Sequence, residues 1–325
     1  MSHYYRNVGP GVPLTSALSA LETPPAIAVA SGVRRSMIVA ASALLVMATY
    51  ATFVGTERSS AAASKKHSGT VNVLYAGSFL DLMQQELAPA FHRATGYTLN
   101  GISAGSSALA SEISGGTVVG DVFISASPTV DASLQRAANG GWVTTYDEFA
   151  TSRLVLGYNP ASRFAKALKT QPWYHVVDRA GFLLGRTDPA TDPKGVLAVD
   201  ALRGVALSYD VPALAAQATS TSNIFEETAL VGELQAGQLD AGFFYAVEAA
   251  ASHIKTVPLV GTDLAATYTV AILKNAPHAA AARAFVTFLL GAGGTRILRA
   301  NGVTPLARVR VLSSLATPTT TTTLP

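Results

Sequence analysis

The fold is decided by the stretch VNVLYAGS at residues 71–78, which is followed by YTLNGISAGSSALA at residues 97–110. In each stretch an apolar run typical of a buried strand ends in Gly-Ser, and the residues beyond it have the pattern of a helix. The sequence therefore predicts two strand-turn-helix units in succession, with Gly77-Ser78 and Gly105-Ser106 at the turns.

Each turn places a serine where a helix begins. The first backbone N–H groups of a helix have no partner within it, and the helix dipole favours a negative charge at this end. Ser78 and Ser106 therefore have the arrangement of two halves of one cradle for an oxyanion. The alternative is that each serine is an ordinary helix cap that binds no ligand.

Strands and helices alternate along the rest of the chain. Apolar strands and helices are predicted at residues 121–125, 153–158, 226–245, 267–273, 279–290 and 294–300, with a loop at 185–195. Alternation with short connections predicts an α/β fold in which helices cover both faces of a mostly parallel sheet. Ligands of such sheets bind at the carboxyl ends of the strands.

The length of the chain and the order of its elements predict two α/β lobes. We expect the chain to cross between them near Arg153 and again near Leu264. Lobe 1 then comprises residues 70–153 plus 265–313, and lobe 2 comprises residues 154–264. The cleft between the lobes is the expected ligand site.

The overall composition indicates a globular protein and excludes several kinds of site. Of 325 residues, 49% are hydrophobic and 13% are charged, with 23 basic residues against 20 acidic ones. This small net charge favours neither a nucleic acid nor an anionic membrane surface as partner. The chain has no cysteine, which excludes disulfides, thiolate metal sites, a cysteine nucleophile and a lipid-modified cysteine.

The N-terminal region has the pattern of an export signal. Residues 36–56 carry no charge and directly follow Arg34 and Arg35, as an apolar segment follows a basic one in signal peptides. Cleavage and retention as a membrane anchor both fit this pattern. Either outcome makes the protein extracytoplasmic: secreted, periplasmic, or anchored to the outer face of the cell membrane.

The segments around this apolar stretch, and the C-terminus, lack the composition of a packed core. Residues 1–35 are predicted to be a long disordered n-region, residues 57–69 a linker, and residues 314–325 a disordered threonine-rich tail. The folded part of the chain is therefore expected between residues 70 and 313.

Several motifs follow one another in a characteristic order. They are Tyr75-Ala76-Gly77-Ser78, Ala104-Gly105-Ser106-Ser107-Ala108-Leu109-Ala110, Gly120-Asp121-Val122-Phe123-Ile124-Ser125-Ala126, and the stretches at residues 185–195 and 237–245. Their order and spacing resemble those of the periplasmic molybdate/tungstate-binding proteins of ABC transporters, from Val71 to about Leu306. The resemblance implies the two-lobed type II periplasmic-binding-protein fold. It also implies a protein that is not an enzyme, needs no cofactor and delivers its oxyanion to a permease and its ATPase.

The resemblance implies four ligand-binding residues as well. Ser78 and Ser106 would bind oxyanion oxygens through their hydroxyl and amide groups. The backbone amide of Lys194 would do the same, and Tyr245 would supply a phenol. The ammonium group of Lys194 lies outside this carry-over, and it either attracts the anion or points to solvent.

Two acidic residues stand where the archaeal-type tungstate binders have carboxylate ligands of the metal centre: Asp192 and Glu227. The short interval between Gly195 and Glu227 is closer to that of the classical molybdate binders, which use only a backbone amide there. An acid merely near a dianion is unfavourable, because two unit charges 4 Å apart repel by about 4 kcal/mol at an effective dielectric of 20. If both acids line the site, they therefore bind the metal centre as hard oxygen ligands. Alternatively, Glu227 begins a helix and Asp192 caps one.

Other functions compete with this interpretation. A serine hydrolase would require a Gly-x-Ser-x-Gly elbow, which neither Ser78 nor Ser106 has. A ferric-iron binder of the same superfamily would require neighbouring tyrosines, and Tyr245 follows a phenylalanine. Sulfate or phosphate as the ligand stays open, as does a membrane-anchored sensor domain without a transport role. We expect a monomer.

Overall fold

The computed structural model describes residues 67–313, with side chains to residue 307. The predictions for residues 1–35, 36–56 and 314–325, and for most of the linker at 57–69, lie outside the described residues. Within 67–313 no helix combines the length and the apolar composition that crossing a bilayer demands.

Within the described residues, ten strands form the sheet. In chain order they are β1 (Thr70–Ala76), β2 (Thr98–Ala104), β3 (Val122–Ser125), β4 (Thr145–Tyr158), β5 (Leu184–Thr187), β6 (Ile224–Phe225), β7 (Ala241–Tyr245), β8 (Lys255–Pro258), β9 (Ala265–Ile272) and β10 (Thr304–Ser313). Eight of them follow the spatial order β2-β1-β3-β9-β4-β7-β5-β6, and β8 and β10 also pair with β4.

Helices connect these strands and cover the sheet. They are α1 (Leu80–Leu82), α2 (Ala88–Thr95), α3 (Ser106–Gly115), α4 (Pro128–Gln135), α5 (Ala165–Thr170), α6 (Trp173–Val177), α7 (Pro193–Ser208), α8 (Pro212–Thr219), α9 (Glu227–Gln235), α10 (Ala246–Ala251), α11 (Ala279–Leu290) and α12 (Ala292–Ala300). A 3-10 turn over Gly77–Phe79 precedes α1, and a π-helical turn over Met83–Leu87 joins α1 to α2. The helix predicted after Gly77-Ser78 is therefore present, but it is irregular.

Strand β1 shows why the sequence folds in this way. Its side chains alternate between the two faces of the sheet. Val73 packs in one core cluster with Phe91 of α2, and Leu74 packs in a second cluster with Leu109 of α3 and Phe123 of β3. Because helices cover both faces, apolar residues occupy both sets of positions.

The sheet contains two parallel sets of strands, in keeping with the predicted α/β fold, and strands of opposite direction join them. Strand β1 is parallel to β2 and β3, and β5 is parallel to β6 and β7. Strands β4 and β9 are antiparallel to every strand with which they pair. The antiparallel pairs arise where the chain crosses between the two sets: β9 runs against β3 of one set, and β4 runs against β7 of the other.

Strand β4 joins two parts of the sheet. It pairs with β9 as far as Arg153 and with β7 from Leu154 onward, and Leu154 N donates to Leu264 O over 2.8 Å. We call the part built on β1, β2, β3, β9, β10 and the start of β4 the first lobe. The part built on β5 to β8 and the end of β4 is the second lobe. The residue boundaries predicted for the two lobes stay a prediction.

A loop was predicted at residues 185–195, but this segment is not a continuous loop. It contains most of β5, and α7 begins at Pro193. A side chain at Gly185 would stand 2.4 Å from Leu239 and 2.8 Å from Leu230. All four residues of β5 are buried, although two of them are polar. Its composition therefore did not indicate a buried strand, which close packing against neighbouring elements holds in the sheet.

Candidate functional site

The turn after β1 holds a carboxylate from the other lobe. Gly77 N donates to Glu227 Oε2 over 2.6 Å, and Ser78 N donates to Glu227 Oε1 over 3.0 Å. All three residues are buried. A Cβ atom at position 77 would stand 2.7 Å from Glu227 Oε2, so a side chain there would push this carboxyl group away. We call the Gly77 and Ser78 amides the first cradle.

The hydroxyl groups of the two predicted serines have partners in the first lobe. Ser78 Oγ lies 2.9 Å from the hydroxyl of Tyr268 on β9, and both groups are buried. Ser106 Oγ accepts a hydrogen bond from Ala126 N over 3.1 Å at the start of α3. Both serines therefore face inward at the ends of strands.

The second Gly-Ser turn contacts the second lobe through the backbone. Ala108 N, in the first turn of α3, donates to Thr191 O over 3.0 Å. A Cβ atom at Gly105 would stand only 2.4 Å from Thr191 O and 3.1 Å from Asp192 Cβ. Glycine at position 105 thus permits the two lobes to approach closely at this point.

Asp192 caps helix α7. Its Oδ1 accepts from Lys194 N over 3.0 Å, which is one of the two roles considered for this residue. Its Oδ2 is buried and has no hydrogen-bond partner in the described part of the chain. The nearby Thr187 hydroxyl partly offsets the rise that burial causes in the pKa of Asp192. One oxygen of a fully buried carboxylate is therefore free to accept a ligand.

The Lys194 side chain crosses the interior of the site. Its Nζ lies 2.8 Å from Oε1 and 2.7 Å from Oε2 of Glu248, and 3.7 Å from Glu227 Oε1. The side chain has no exposed surface, so the alternative that its ammonium points to solvent is wrong. This ammonium is the counter-ion of a buried pair of glutamates.

Tyr245 ends β7 directly beside this group. The centroid of its ring lies 6.1 Å from the ring centroid of Tyr268 and 5.9 Å from Lys194 Nζ. Tyr245 is therefore part of the same site. Its hydroxyl is fully buried, and no atom of the described residues is hydrogen-bonded to it. Leaving a buried hydroxyl without a partner costs free energy, so this donor is available to a ligand.

Burial dominates the electrostatics of the site. It raises the pKa of Glu227 well above its usual range, and the negative charge of Asp192 adds to the effect. Burial likewise raises the pKa values of Asp192 and Glu248, and raises that of Tyr245 far above normal. Burial alone would lower the pKa of Lys194, but Glu248, Glu227 and Asp192 outweigh it and raise this pKa. Three carboxyl groups thus share one cation, which stays protonated.

A cavity of about 240 Å³ opens beside the first cradle. Gly77, Ser78, Glu227 and Glu248 form part of its wall, and residues of α9 form another part. Within the described residues, no cluster of three or more histidine, aspartate or glutamate side chains has the geometry of a metal site.

Comparison with known proteins identifies the family. Residues 71–304, most of the chain, match the family of bacterial extracellular solute-binding proteins. The chain belongs to this family. The prediction from the sequence motifs that this is a solute-binding protein is thereby confirmed.

Several relatives of this solute-binding protein have been described. An uncharacterized solute-binding protein of Halobacterium salinarum is 30% identical over 251 residues, which are 68% of this chain and 80% of that one. A putative ABC transporter molybdenum-binding protein of Haloferax volcanii is 32% identical over 54% of this chain and 55% of that one. The molybdate/tungstate-binding protein WtpA of Pyrococcus abyssi is 26% identical over 48% and 60%. The match thus spans under two thirds of the last two relatives.

Solved structures confirm the type II periplasmic-binding-protein fold. The periplasmic molybdate-binding protein of Azotobacter vinelandii superimposes with a TM-score of 0.57 at 22% identity, covering 73% of this chain and all of that one. The sulfate-binding protein SubI of Mycobacterium tuberculosis superimposes with a TM-score of 0.56 at 15% identity, covering 74% and 88%. At these identities the likeness shows the fold and no more.

The structure of this solute-binding protein gathers most of the predicted residues into one site. Ser78, Glu227 and Lys194 are linked by direct contacts. Asp192 lies close enough for its negative charge to raise the pKa values of Glu227 and Tyr245. Ser106 stands at the neighbouring turn, linked to this group through the contact between α3 and Thr191. The ligand roles of these residues stay predictions.

Sequence reasoning missed Glu248 and Tyr268. Glu248 stands three residues after Tyr245, where an acidic residue favours the start of a helix, and that spacing was the available signal. Tyr268 lies within a strand and carries no local signal of its contact with Ser78. Both are long-range partners of residues that the motifs did single out.

Proposed function

We propose that this protein captures molybdate or tungstate outside the cytoplasm and delivers it to an ABC importer. One observation carries the proposal: the amides of Gly77 and Ser78 already donate to both oxygens of one carboxyl group, that of Glu227. Two backbone N–H groups that converge on a carboxylate are equally suited to two oxygens of a tetrahedral oxyanion.

The remaining donors suit a fully deprotonated oxyanion. Ser78 and Ser106 offer hydroxyl groups, and Tyr245 offers a phenol that has no other partner in the described chain. Lys194 would offer its amide once Asp192 Oδ1, which now accepts from it, moves away. These are neutral donors, and none of them needs a proton on the ligand. The ligand site is the cleft between the lobes, to which both lobes contribute.

The two carboxylates favour a metal oxyanion over sulfate or phosphate. Glu227 and Asp192 would repel any dianion in the cleft by several kcal/mol at close range. Their position is favourable only if their oxygens bind the molybdenum or tungsten centre and raise its coordination number. The unpaired Oδ2 of Asp192 supports this assignment.

Two of the relatives point to the same ligand class. The Haloferax volcanii relative is named as a putative molybdenum-binding protein and the Pyrococcus abyssi relative as a molybdate/tungstate-binding protein. By analogy, the protein acts as a binding component and not as an enzyme, and its partners are a permease and its ATPase.

Cleft closure is the mechanism that the architecture supports. The first lobe offers Ser78 and Ser106, and the second offers Lys194, Glu227 and Tyr245. An oxyanion that binds both sets stabilises the closed form over an open one, and the permease distinguishes the two forms. Movement of the lobes about β4 and β9 would open and close the site.

Isothermal titration of the full chain with molybdate, tungstate, sulfate and phosphate tests the proposal. Tight binding of the first two with no heat from the others supports it, and X-ray absorption of the complex then counts the oxygen ligands of the metal. Binding of sulfate or phosphate alone would replace the proposed ligand. Binding of none would favour the sensor alternative.

A further inference from the structure

Glu227 occupies the two amides that an incoming oxyanion would use. Its carboxylate accepts from Gly77 N at 2.6 Å and from Ser78 N at 3.0 Å, and the side chain is fully buried. Since these donors are already satisfied, any tetrahedral anion that binds them must first displace Glu227. The protein thus carries its own competitor in the first cradle.

The displaced carboxylate has room to move. The cavity of about 240 Å³ beside the cradle is lined by Glu227 itself and by the next turn of α9, at Thr228, Val231 and Gly232. A rotation of the Glu227 side chain toward this cavity would free both amides without unfolding α9.

A displaced carboxylate finds no free cation nearby. Lys194 Nζ is held by both oxygens of Glu248, at 2.8 and 2.7 Å, and lies farther from Glu227, at 3.7 Å. The other buried cation of residues 67–307, Arg186, donates to the carbonyl oxygens of Ala218 and Ser220. A buried carboxylate without partners is strongly unfavourable, so the ligand itself must compensate for the displacement.

We propose that Glu227 determines specificity by competing for the first cradle, so that it admits only oxyanions whose central atom can bind the displaced carboxylate. This inference rests on the proposed function, because it assigns Glu227 to the same site. A molybdenum or tungsten centre accepts further oxygen ligands, whereas the sulfur of sulfate and the phosphorus of phosphate do not. Sulfate would fit the amides but would leave Glu227 buried and unpaired, and is therefore rejected.

Titration of variants with sodium sulfate and sodium molybdate at constant ionic strength tests this role. Glu227→Ala removes the competitor, and Glu227→Gln retains a single acceptor of similar shape. Glu226→Gln is the matched control. Glu226 is the exposed neighbour of Glu227, so this substitution removes the same charge outside the cradle. Sulfate affinity should rise at least about tenfold in Glu227→Ala, less in Glu227→Gln, and not in the control.

The ratio of molybdate to sulfate affinity is the sharper quantity. It should fall by at least about a hundredfold in Glu227→Ala, because that variant loses both the competitor and the oxygen ligand. Sulfate affinity equal to that of the wild type, in a Glu227 variant that melts cooperatively, would overturn the inference. A wild-type protein that binds molybdate while no Glu227 variant gains sulfate would refute the competitor role and leave the proposed function intact. If Glu227→Ala binds sulfate more tightly than the wild type does, but the wild type does not bind molybdate, the competitor role would stand and the proposed function would be refuted.

Amide hydrogen exchange of the ligand-free wild type tests the same idea without a variant. The amides of Gly77 and Ser78 should exchange slowly, because a buried carboxylate accepts their hydrogens. Fast exchange at both positions, beside protected neighbours in β1, would show that Glu227 does not hold the cradle and would overturn the proposal.

Discussion

Lys194 and Glu248 form a fully buried ion pair in which both carboxylate oxygens accept from one ammonium, at 2.8 and 2.7 Å. The pair joins the start of α7 to the start of α10, and it also supplies the positive charge nearest to Glu227. This lysine is therefore the cation that compensates for the buried acidic groups of the site.

Replacing Lys194 by methionine should destabilise the protein severely. The change leaves Glu248 and Glu227 buried without a cation, and removing one partner of a buried pair costs about 3–5 kcal/mol. Chemical denaturation measures the loss. The double variant Lys194→Met with Glu248→Gln should recover part of it.

The exposed pair Arg153–Asp263 is the control for this prediction. Its side chains are 73% and 76% exposed, and surface pairs contribute about 0–1 kcal/mol. Asp263→Asn should therefore leave the free energy of unfolding nearly unchanged. Equal effects of Lys194→Met and Asp263→Asn would contradict the assigned role of the buried pair.

The two buried tyrosines of the site should respond in opposite ways to loss of their hydroxyl groups. Tyr245→Phe removes a hydroxyl that has no partner in the described structure, so stability should stay equal or rise by about 1 kcal/mol. Oxyanion affinity should nevertheless fall about tenfold, the equivalent of one hydrogen bond to a charged ligand.

Tyr268→Phe supplies the matched comparison. It removes the partner of Ser78 Oγ, 2.9 Å away, and leaves a buried hydroxyl unsatisfied, at a cost of about 1–3 kcal/mol. Thermal unfolding and titration of both variants separate the two effects. A Tyr245→Phe protein that loses stability but binds normally would assign Tyr245 to the core and not to the ligand.

The local pattern of the sequence was sufficient to predict the Gly-Ser turns. Strand β1 alternates between two core clusters and ends in Gly77-Ser78, and α3 begins at Ser106. Both features depend on residues within a few positions of each other, which is the range over which periodicity and capping operate.

The contacts that give the site its chemistry are long-range and were beyond this kind of reasoning. Gly77 and Glu227 are separated by 150 positions, and Ser78 and Tyr268 by 190. The burial of Lys194 is a second example, because a lysine at the start of a helix is usually solvated. Only the tertiary structure brings Glu248 to it.

Gly105→Ala should hold the lobes apart. The added Cβ would stand 2.4 Å from Thr191 O, a backbone atom that cannot move aside as a flexible side chain would. Small-angle scattering should therefore show a larger radius of gyration, and molybdate affinity should fall. Gly204→Ala is the control, since a Cβ there meets no atom within 4 Å and alanine favours the interior of α7 by about 1 kcal/mol. An unchanged radius in Gly105→Ala would mean that the contact with Thr191 O does not limit closure.

The stability of the protein should fall as the pH rises from about 4 to about 7, because of Asp131 on α4. Burial raises the pKa of this carboxyl from 3.8 to about 7, although the hydroxyl of Thr269 donates to it and favours the ionised form. Between these two values the unfolded chain has released the proton and the folded chain still binds it, so each step upward in pH favours unfolding. Above pH 7 both states are ionised and the effect levels off at up to about 4 kcal/mol.

Asp131→Asn should lack this component, so its free energy of unfolding should exceed that of the wild type increasingly from pH 4 to pH 7. Thr269→Val, which removes the donor, should shift the end of the transition to higher pH. Urea unfolding across this pH range measures all three proteins, and parallel profiles for the wild type and Asp131→Asn would show that Asp131 ionises equally in the folded and unfolded chains.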